Sequence, residues 1–137
     1  MIGALLRLPH EAVTARILAD LTDKGHDITP TELTVFLYPG PDGRRPIDLA
    51  RQCNMTRQAM NYVLAGLERR GYIGREAGPG TASRVVHLTA TGWEMFDQIR
   101  ACVLAIEQEW TAHLGGQRFR ALRDTLHDLA RWLGKLG

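Results

Sequence analysis

Cysteine is scarce in this chain: two of 137 residues, Cys53 and Cys102. Neither has a thiol or histidine at metal-ligand spacing, so a disulfide scaffold and a zinc module are both excluded, and a reducing compartment is expected. In the turn before a helix, Cys53 reads as a packed thiol rather than a redox switch, and Cys102 reads as helix packing. Long apolar runs are also missing. Arg7 and Arg16 interrupt the first apolar stretch, and nothing approaches the ~18 uninterrupted residues of a bilayer crossing. No membrane span or secretory leader is expected, and the protein is read as soluble and cytoplasmic.

The motifs of catalysis are absent as well. There is no Gly-rich phosphate loop, no Gly-x-Ser-x-Gly elbow and no His-Glu-x-x-His, and the carboxylate pairs Asp20/Asp23 and Glu107/Glu109 have the spacing of a helix surface. His10, His26, His87, His113 and His127 are scattered, none with a His or Cys three or four residues on. The expectation is a protein that is not an enzyme, with no metal and no cofactor.

What is present is unevenly distributed charge. The formal net charge is only +2. Between Arg44 and Arg84, however, eight arginines (44, 45, 51, 57, 69, 70, 75 and 84) face three acids (Asp48, Glu68 and Glu76), a local excess of +5, while the rest of the chain carries −3. Positive charge concentrated in one third of a chain points to a polyanionic partner.

Hydropathy patterning predicts six helices and a hairpin. Leu5 to Leu21 reads as a helix apolar on more than one face, with Pro9 in its first turn or at a kink near its start. Thr29, Pro30 and Glu32 form a capping box ahead of Leu33, Val35, Phe36 and Leu37. That helix cannot pass Tyr38, because Pro39, Gly40, Pro41, Asp42 and Gly43 are breakers, and a surface loop is expected there. A short helix from Pro46 turns at Cys53, Asn54 and Met55. Thr56 caps a longer one with Ala59, Met60, Val63, Leu64 and Leu67 as its buried set, ending at Gly71. Two helices joined by a tight turn are a helix-turn-helix. Strands starting at Tyr72-Ile73 and comprising Val85, Val86 and Leu88, with the turn Ala77 to Ala82 between them, add a wing.

Two more helices close the chain. Phe96, Ile99, Val103, Ile106, Trp110 and Leu114 form one seam; Phe119, Leu122, Leu126, Leu129, Leu133 and Leu136 form a stricter one after Gly115 and Gly116. Spacing near 3.5 belongs to helix-on-helix packing, and a small domain cannot cover both seams by itself. The fold class is thus mostly α with a small β-hairpin: a winged helix-turn-helix over residues 29–89, and a helical dimerisation unit from residues 1–28 and 90–137.

A helix fits the DNA major groove when its exposed face carries hydrogen-bonding groups. The outward set here is Arg57, Gln58, Asn61, Tyr62 and Ala65. Arginine forks onto guanine, glutamine and asparagine onto adenine, and tyrosine meets a phosphate or a thymine methyl. Thr56 at the cap and Arg51 in the preceding helix join them as DNA-binding candidates, with Arg44 and Arg45 serving either the backbone or solubility. Arg75 and Arg84 flank the hairpin within reach of a phosphate or the neighbouring minor groove. For Arg75 a cross-strand pair with Glu76 is an equal alternative.

The runs Ile28-Thr29-Pro30-Thr31-Glu32-Leu33, Asp48-Leu49-Ala50-Arg51, Met55-Thr56-Arg57-Gln58-Ala59-Met60, Leu67-Glu68-Arg69-Arg70-Gly71-Tyr72-Ile73 and Val86-His87-Leu88-Thr89-Ala90-Thr91-Gly92 together resemble the MarR (multiple-antibiotic-resistance regulator) family over nearly the whole chain. The resemblance implies a homodimer whose terminal helices interlock while two winged units read the half-sites of a pseudo-palindromic DNA duplex. It also implies repression of transcription, and release of DNA when a small aromatic ligand enters between the dimer helices and the winged unit. Trp93, Trp110 and Trp132, with Phe36 and Tyr38, are candidates for such a pocket, or for dimer-core packing.

Two departures stand out. The family's wing tip carries an Asp-Arg-Arg run where this chain has Gly80, Thr81 and Ala82, leaving Arg84 as the substitute, and the loop Pro39 to Arg45 is unusually rich in proline and glycine. The peroxide-sensing members use a cysteine in the first helix, which this chain lacks. The neutral wing tip motivates an alternative, a winged-helix dimerisation or scaffold protein without specific DNA readout. A third reading, the dimerising module of a small-molecule methyltransferase, finds no nucleotide-binding unit in these residues.

Overall fold

A computed structural model describes residues 1–37, 40–77 and 84–136. Its elements are α1 (Ile2–Asp23), α2 (Pro30–Leu37), α3 (Pro46–Gln52), α4 (Arg57–Arg69), β1 (Ile73–Ala77), β2 (Arg84–Leu88), α5 (Ala90–Leu114) and α6 (Gly116–Trp132). The chain divides into two compact units, Met1–Arg100 and Ala101–Gly137, with the division inside α5.

In the first unit α1 starts at Ile2, before the expected Leu5, and runs through Pro9 to Asp23. Proline can neither donate to the carbonyl four residues back nor fit against it easily, so Pro9 is a weak point tolerated well inside the helix. Only Ile17 and Leu21 on α1 are buried; Ile2, Leu5, Leu6 and Leu8 are exposed. α2 opens on the capping box that its sequence spells: the Thr29 N–H donates to Glu32 Oε1 at 3.0 Å, and the Glu32 N–H donates to Thr29 Oγ1 at 3.1 Å. Its Leu33, Val35 and Phe36 enter a core shared with Leu49, Met60, Leu64, Leu67, Val86 and Met95.

The breaker cluster is not a free surface loop. Tyr38 and Pro39 lie outside the described residues, but Gly40 and Pro41 are buried, and the segment after them is stitched to β2. The Gly43 N–H donates to the Val86 carbonyl at 2.7 Å, the Val86 N–H to the Arg44 carbonyl at 2.8 Å, and the Leu88 N–H to Asp42 Oδ1 at 2.9 Å. β1 and β2 pair antiparallel, with Ile73 opposite Leu88 and Ala77 opposite Arg84, and Arg44 adds an isolated bridge to Val86. The expected surface loop therefore supplies a third edge to the wing, because its backbone groups find partners on β2 instead of water.

The close of the wing has a steric cause. Thr89 Oγ1 accepts from the Gly92 N–H at 3.1 Å and donates to the Gly71 carbonyl, while the Thr89 N–H donates to the Tyr72 carbonyl at 3.1 Å. A Cβ on Gly92 would lie 2.1 Å from that Tyr72 oxygen, so the Leu-Thr-x-x-Gly run requires glycine at its end. The buried positions at the start of α5 include Met95, which the seam reading passed over, while Phe96 is half-buried.

In the second unit α5 continues to Leu114 and α6 follows at once. Ile106 and Phe119 are buried; Val103, Trp110 and Leu114 are half-buried. α6 ends at Trp132, short of the expected Leu136, because Gly134 takes φ +70° and stops the helix. Leu122, Leu126, Leu129 and Leu133 of its seam are exposed, by 40%, 40%, 41% and 55%.

Candidate nucleic-acid interface

Thr56 begins α4 in extended backbone (φ −68°, ψ 157°) and its Oγ1 accepts from the Ala59 N–H at 3.1 Å. This cap satisfies one of the helix's open N–H groups and sets where the helix starts. Met60, Val63, Leu64 and Leu67 then face the core, and Arg57, Gln58, Asn61 and Tyr62 face outward, Tyr62 with 79% of its surface exposed. The reading of the face differs at three small residues: Ala59, expected inside, is exposed; Ala65, expected outside, is half-buried; and Gly66 is buried. Gly66 is inside because α2 crosses close to it: a Cβ there would meet Arg70 Nη2 at 3.1 Å and Glu32 Oε2 at 3.6 Å.

Those two side chains join the helices. Glu32, the buried acid among the described residues, accepts from Arg70 Nη2, and Arg70 Nη1 donates to the Asp27 carbonyl. A buried carboxylate is tolerable only when paired and hydrogen-bonded, and Glu32 is also tied to the Thr29 backbone. The pair thus anchors the C-terminal end of α4 to the start of α2. Sequence reasoning assigned Glu32 to the capping box and missed Arg70; nothing in spacing alone brings residues 38 positions apart together.

Two clefts flank α4. The larger, about 770 Å³, lies between the start of α2 and the outer face of α4, and Thr56, Gln58, Tyr62, Arg69 and Arg70 help line it. The smaller, about 240 Å³, is lined by Arg45, Pro46, Ile47, Arg57, Asn61 and Arg84. The structure therefore gathers Arg57, Asn61 and Arg84 on one side of α4, and Thr56, Gln58 and Tyr62 on the other. Arg51 lines neither cleft. Its guanidinium is exposed and 3.9 Å from Asp48 Oδ1.

Arg45 forks onto Asp48, with Nε donating to Oδ2 at 2.9 Å and Nη2 to Oδ1 at 3.3 Å. That hydrogen bonding is the main reason the Asp48 carboxyl is held below the usual carboxylate range. Partial desolvation opposes it, and the charges of Arg45, Arg51 and Arg44 reinforce it. Asp48 in turn raises Arg45 further above its already high value. Cys53, half-buried at the end of α3, has its thiol pushed up by burial, which makes the reactive thiolate harder to form.

Arg75 on β1 lies back against α4 and not against Glu76. Nη1 donates to Asn61 Oδ1 at 3.5 Å, and Nε is 3.8 Å from Glu68 Oε2. Glu76 instead approaches His87 Nε2 at 3.7 Å. Gly80, Thr81 and Ala82 at the wing tip lie outside the described residues, as does Tyr38. The remaining aromatic candidates are not gathered in either cleft. Phe36 is core, Trp93 packs edge-on against Phe96 with centroids 5.7 Å apart, Trp110 is half-buried and Trp132 is exposed. Among the described residues no group of three or more His, Cys, Asp or Glu could hold a metal ion, and no helix is long and apolar enough to cross a membrane.

Comparison with known proteins gives a consistent result. Residues 26–82 match the model of the MarR family. A Mycobacterium tuberculosis MarR family protein, solved in complex with salicylic acid, is 30% identical and superimposes with a TM-score of 0.66 over 94% of this chain and 96% of its own. A probable transcriptional regulator from Pseudomonas aeruginosa is 26% identical, with a TM-score of 0.70 over 94% and 96%. The transcriptional repressor CouR from Rhodococcus jostii, bound to a 23-mer DNA duplex, shares the fold at 23% identity, with a TM-score of 0.71 over 95% and 92%. No curated protein sequence matches the chain. With the family model over its winged helix and this identity along nearly its full length, the chain belongs to the MarR family of winged-helix transcriptional regulators.

Proposed function

We propose that the protein is a homodimeric repressor that binds a pseudo-palindromic DNA duplex sequence-specifically and releases it on binding a small aromatic ligand. One observation carries this reading: α4 is capped by Thr56, buries its apolar stripe in its own unit, and leaves Arg57, Gln58, Asn61 and Tyr62 exposed together. Hydrogen-bonding side chains on the free face of a groove-sized helix, three of them (Arg57, Gln58 and Asn61) able to bond in two places at once, are what base readout needs. Arg57, Gln58, Asn61 and Tyr62 are assigned to base edges and adjacent phosphates. Thr56, Arg51 and Arg84 are assigned to the backbone. Arg75 borders this surface from β1.

Supporting the dimer, α6 and the start of α1 expose apolar residues that a single copy leaves in water. On this reading residues 29–89 are the DNA-binding part and residues 1–28 with 90–137 the dimerising part. The aromatic-ligand class is supported by the related proteins solved with salicylic acid and with p-coumaroyl-CoA. The protein acts in the cytoplasm and catalyses no reaction.

The test is selection of bound sites from random duplexes with purified protein. A two-fold symmetric consensus is expected. Arg57→Ala with Gln58→Ala should abolish selectivity in a gel shift while the protein stays dimeric. Affinity should fall with salt by about 0.9 log unit per phosphate neutralised for each log unit of salt. A protein with no duplex affinity to titrate is a scaffold, and the proposal fails.

A further inference from the structure

Arg75 is the one residue of the candidate interface whose guanidinium is turned inward. Its side chain is only 17% exposed, too little for a freely reaching phosphate contact, and its Nε is buried without a hydrogen-bond partner among the described residues. What it does reach is α4. Asn61 and Glu68 are seven residues apart, on one face two turns from each other, and the guanidinium sits against both: 3.5 Å from Asn61 Oδ1 and 3.8 Å from Glu68 Oε2. The strand holds it there. β1 begins four residues after α4 ends, and Arg75 is paired with Val86, which also takes the Arg44 bridge on its other side. A desolvated guanidinium with incomplete partners is costly, so its placement calls for a reason.

We infer that Arg75 is a positioning residue that sets which base Asn61 reads. An asparagine amide has one acceptor oxygen and two N–H donors. Bidentate recognition of adenine uses both ends, Oδ1 accepting from N6 and Nδ2 donating to N7. With Arg75 donating to Oδ1, that oxygen is drawn toward β1 with one of its two lone pairs engaged, and an adenine N6 donor reaching for the other would meet the guanidinium's positive charge. Nδ2 is left to face the groove as a donor. Asn61 then favours a base edge that offers acceptors alone, guanine through N7 and O6 or thymine through O4, over adenine. Arg57 and Arg84, which share the small cleft with Asn61, add positive charge on the same side and work in the same direction. This inference rests on the DNA-binding reading proposed above.

The experiment repeats the duplex selection with the full-length wild type, Asn61→Ala, Arg75→Ala, Arg75→Met and Glu68→Gln. Asn61→Ala identifies the position that Asn61 reads, as the one whose base preference disappears. There the wild type should prefer guanine or thymine over adenine by about tenfold. Arg75→Ala should move the preference to adenine. Arg75→Met keeps a long packing stem but carries neither charge nor donor, and should shift the same way, which covers the case in which the alanine variant folds poorly. Glu68→Gln should leave the preference where the wild type has it. Adenine at that position in the wild type overturns the inference. So does uniformly weaker binding of every duplex by both Arg75 variants with the base preference unmoved, which is the behaviour of a phosphate contact or of a structural role. A wild type that selects no consensus defeats the DNA-binding reading itself, and the inference with it.

Discussion

α4 and α6 are helices of similar amphipathic design that meet opposite ends. α4 buries Met60, Val63, Leu64 and Leu67 within its own compact unit and spends its polar face outward. α6 places Phe119, Leu122, Leu126, Leu129 and Leu133 at a regular spacing of three and four, yet only Phe119 is buried. A helix in water draws most of its stability from packing its apolar face. α4 is thus completed by its own chain, whereas the single chain leaves the apolar face of α6 open; in the proposed dimer a second copy completes it. On the proposed function the contrast separates two jobs: the finished helix presents polar groups to DNA, and the unfinished one makes that presentation depend on assembly.

The contrast is most easily broken on α6. Leu126→Glu puts a charge into the seam of both copies of a two-fold dimer, and should raise the dimer dissociation constant by on the order of 10³-fold. Sedimentation velocity reads this directly, and an unchanged dimer would place the interface elsewhere. On α4, Leu64→Ala removes a fully buried side chain and should cost about 2–5 kcal/mol in urea unfolding at fixed protein concentration. The same substitution at Leu129, exposed in the single chain, should shift stability only through the monomer–dimer balance, and so grow with dilution.

Smaller effects sharpen the account of α4. Thr56→Ala removes the cap, with an expected loss of about 1 kcal/mol, whereas Arg57→Ala should stay within about 0.5 kcal/mol, because an exposed side chain with no partner among the described residues holds nothing in place. Smallest is the charge pair ahead of the helix. The Asp48 carboxyl is held low mainly by its hydrogen bonds with Arg45. Its contribution is present above the ordinary carboxylate pKa of about 3.9 and is lost as pH falls through the lowered folded value. The stability gap between wild type and Asp48→Asn should therefore close on acidification, and a gap that persists at low pH would mean that Asp48 acts through packing.

Much of this could be read from order and spacing, because the relevant physics is local. The Thr29–Glu32 box, the Thr56 cap and the stops at Gly71 and Gly115 are decided within a turn or two of chain. The outward face of α4 followed from period alone, except at the small residues Ala59, Ala65 and Gly66; at Gly66 the close approach of α2 rather than hydropathy selects what is inside. Non-local partners were the part that could not be read. The Glu32–Arg70 and Asn61–Arg75 contacts, and the seam of breaker-loop bonds to β2, join residues that have no periodic relation. The spacing of Leu122, Leu126 and Leu129 forecast a seam and left its occupant unnamed, since amphipathicity shows that a face wants covering and not what covers it.

The stitching of the Asp42–Arg44 segment to β2 has a mechanical consequence. A hairpin held only at its base could swing as a flap. With backbone bonds from Val86 to both Gly43 and Arg44, and Asp42 gripping the Leu88 amide, the hairpin cannot pivot without tearing three bonds or carrying the Asp42–Arg44 segment along. The wing and the Asp42–Arg44 segment are therefore tied together, so a push on either is a pull on the other.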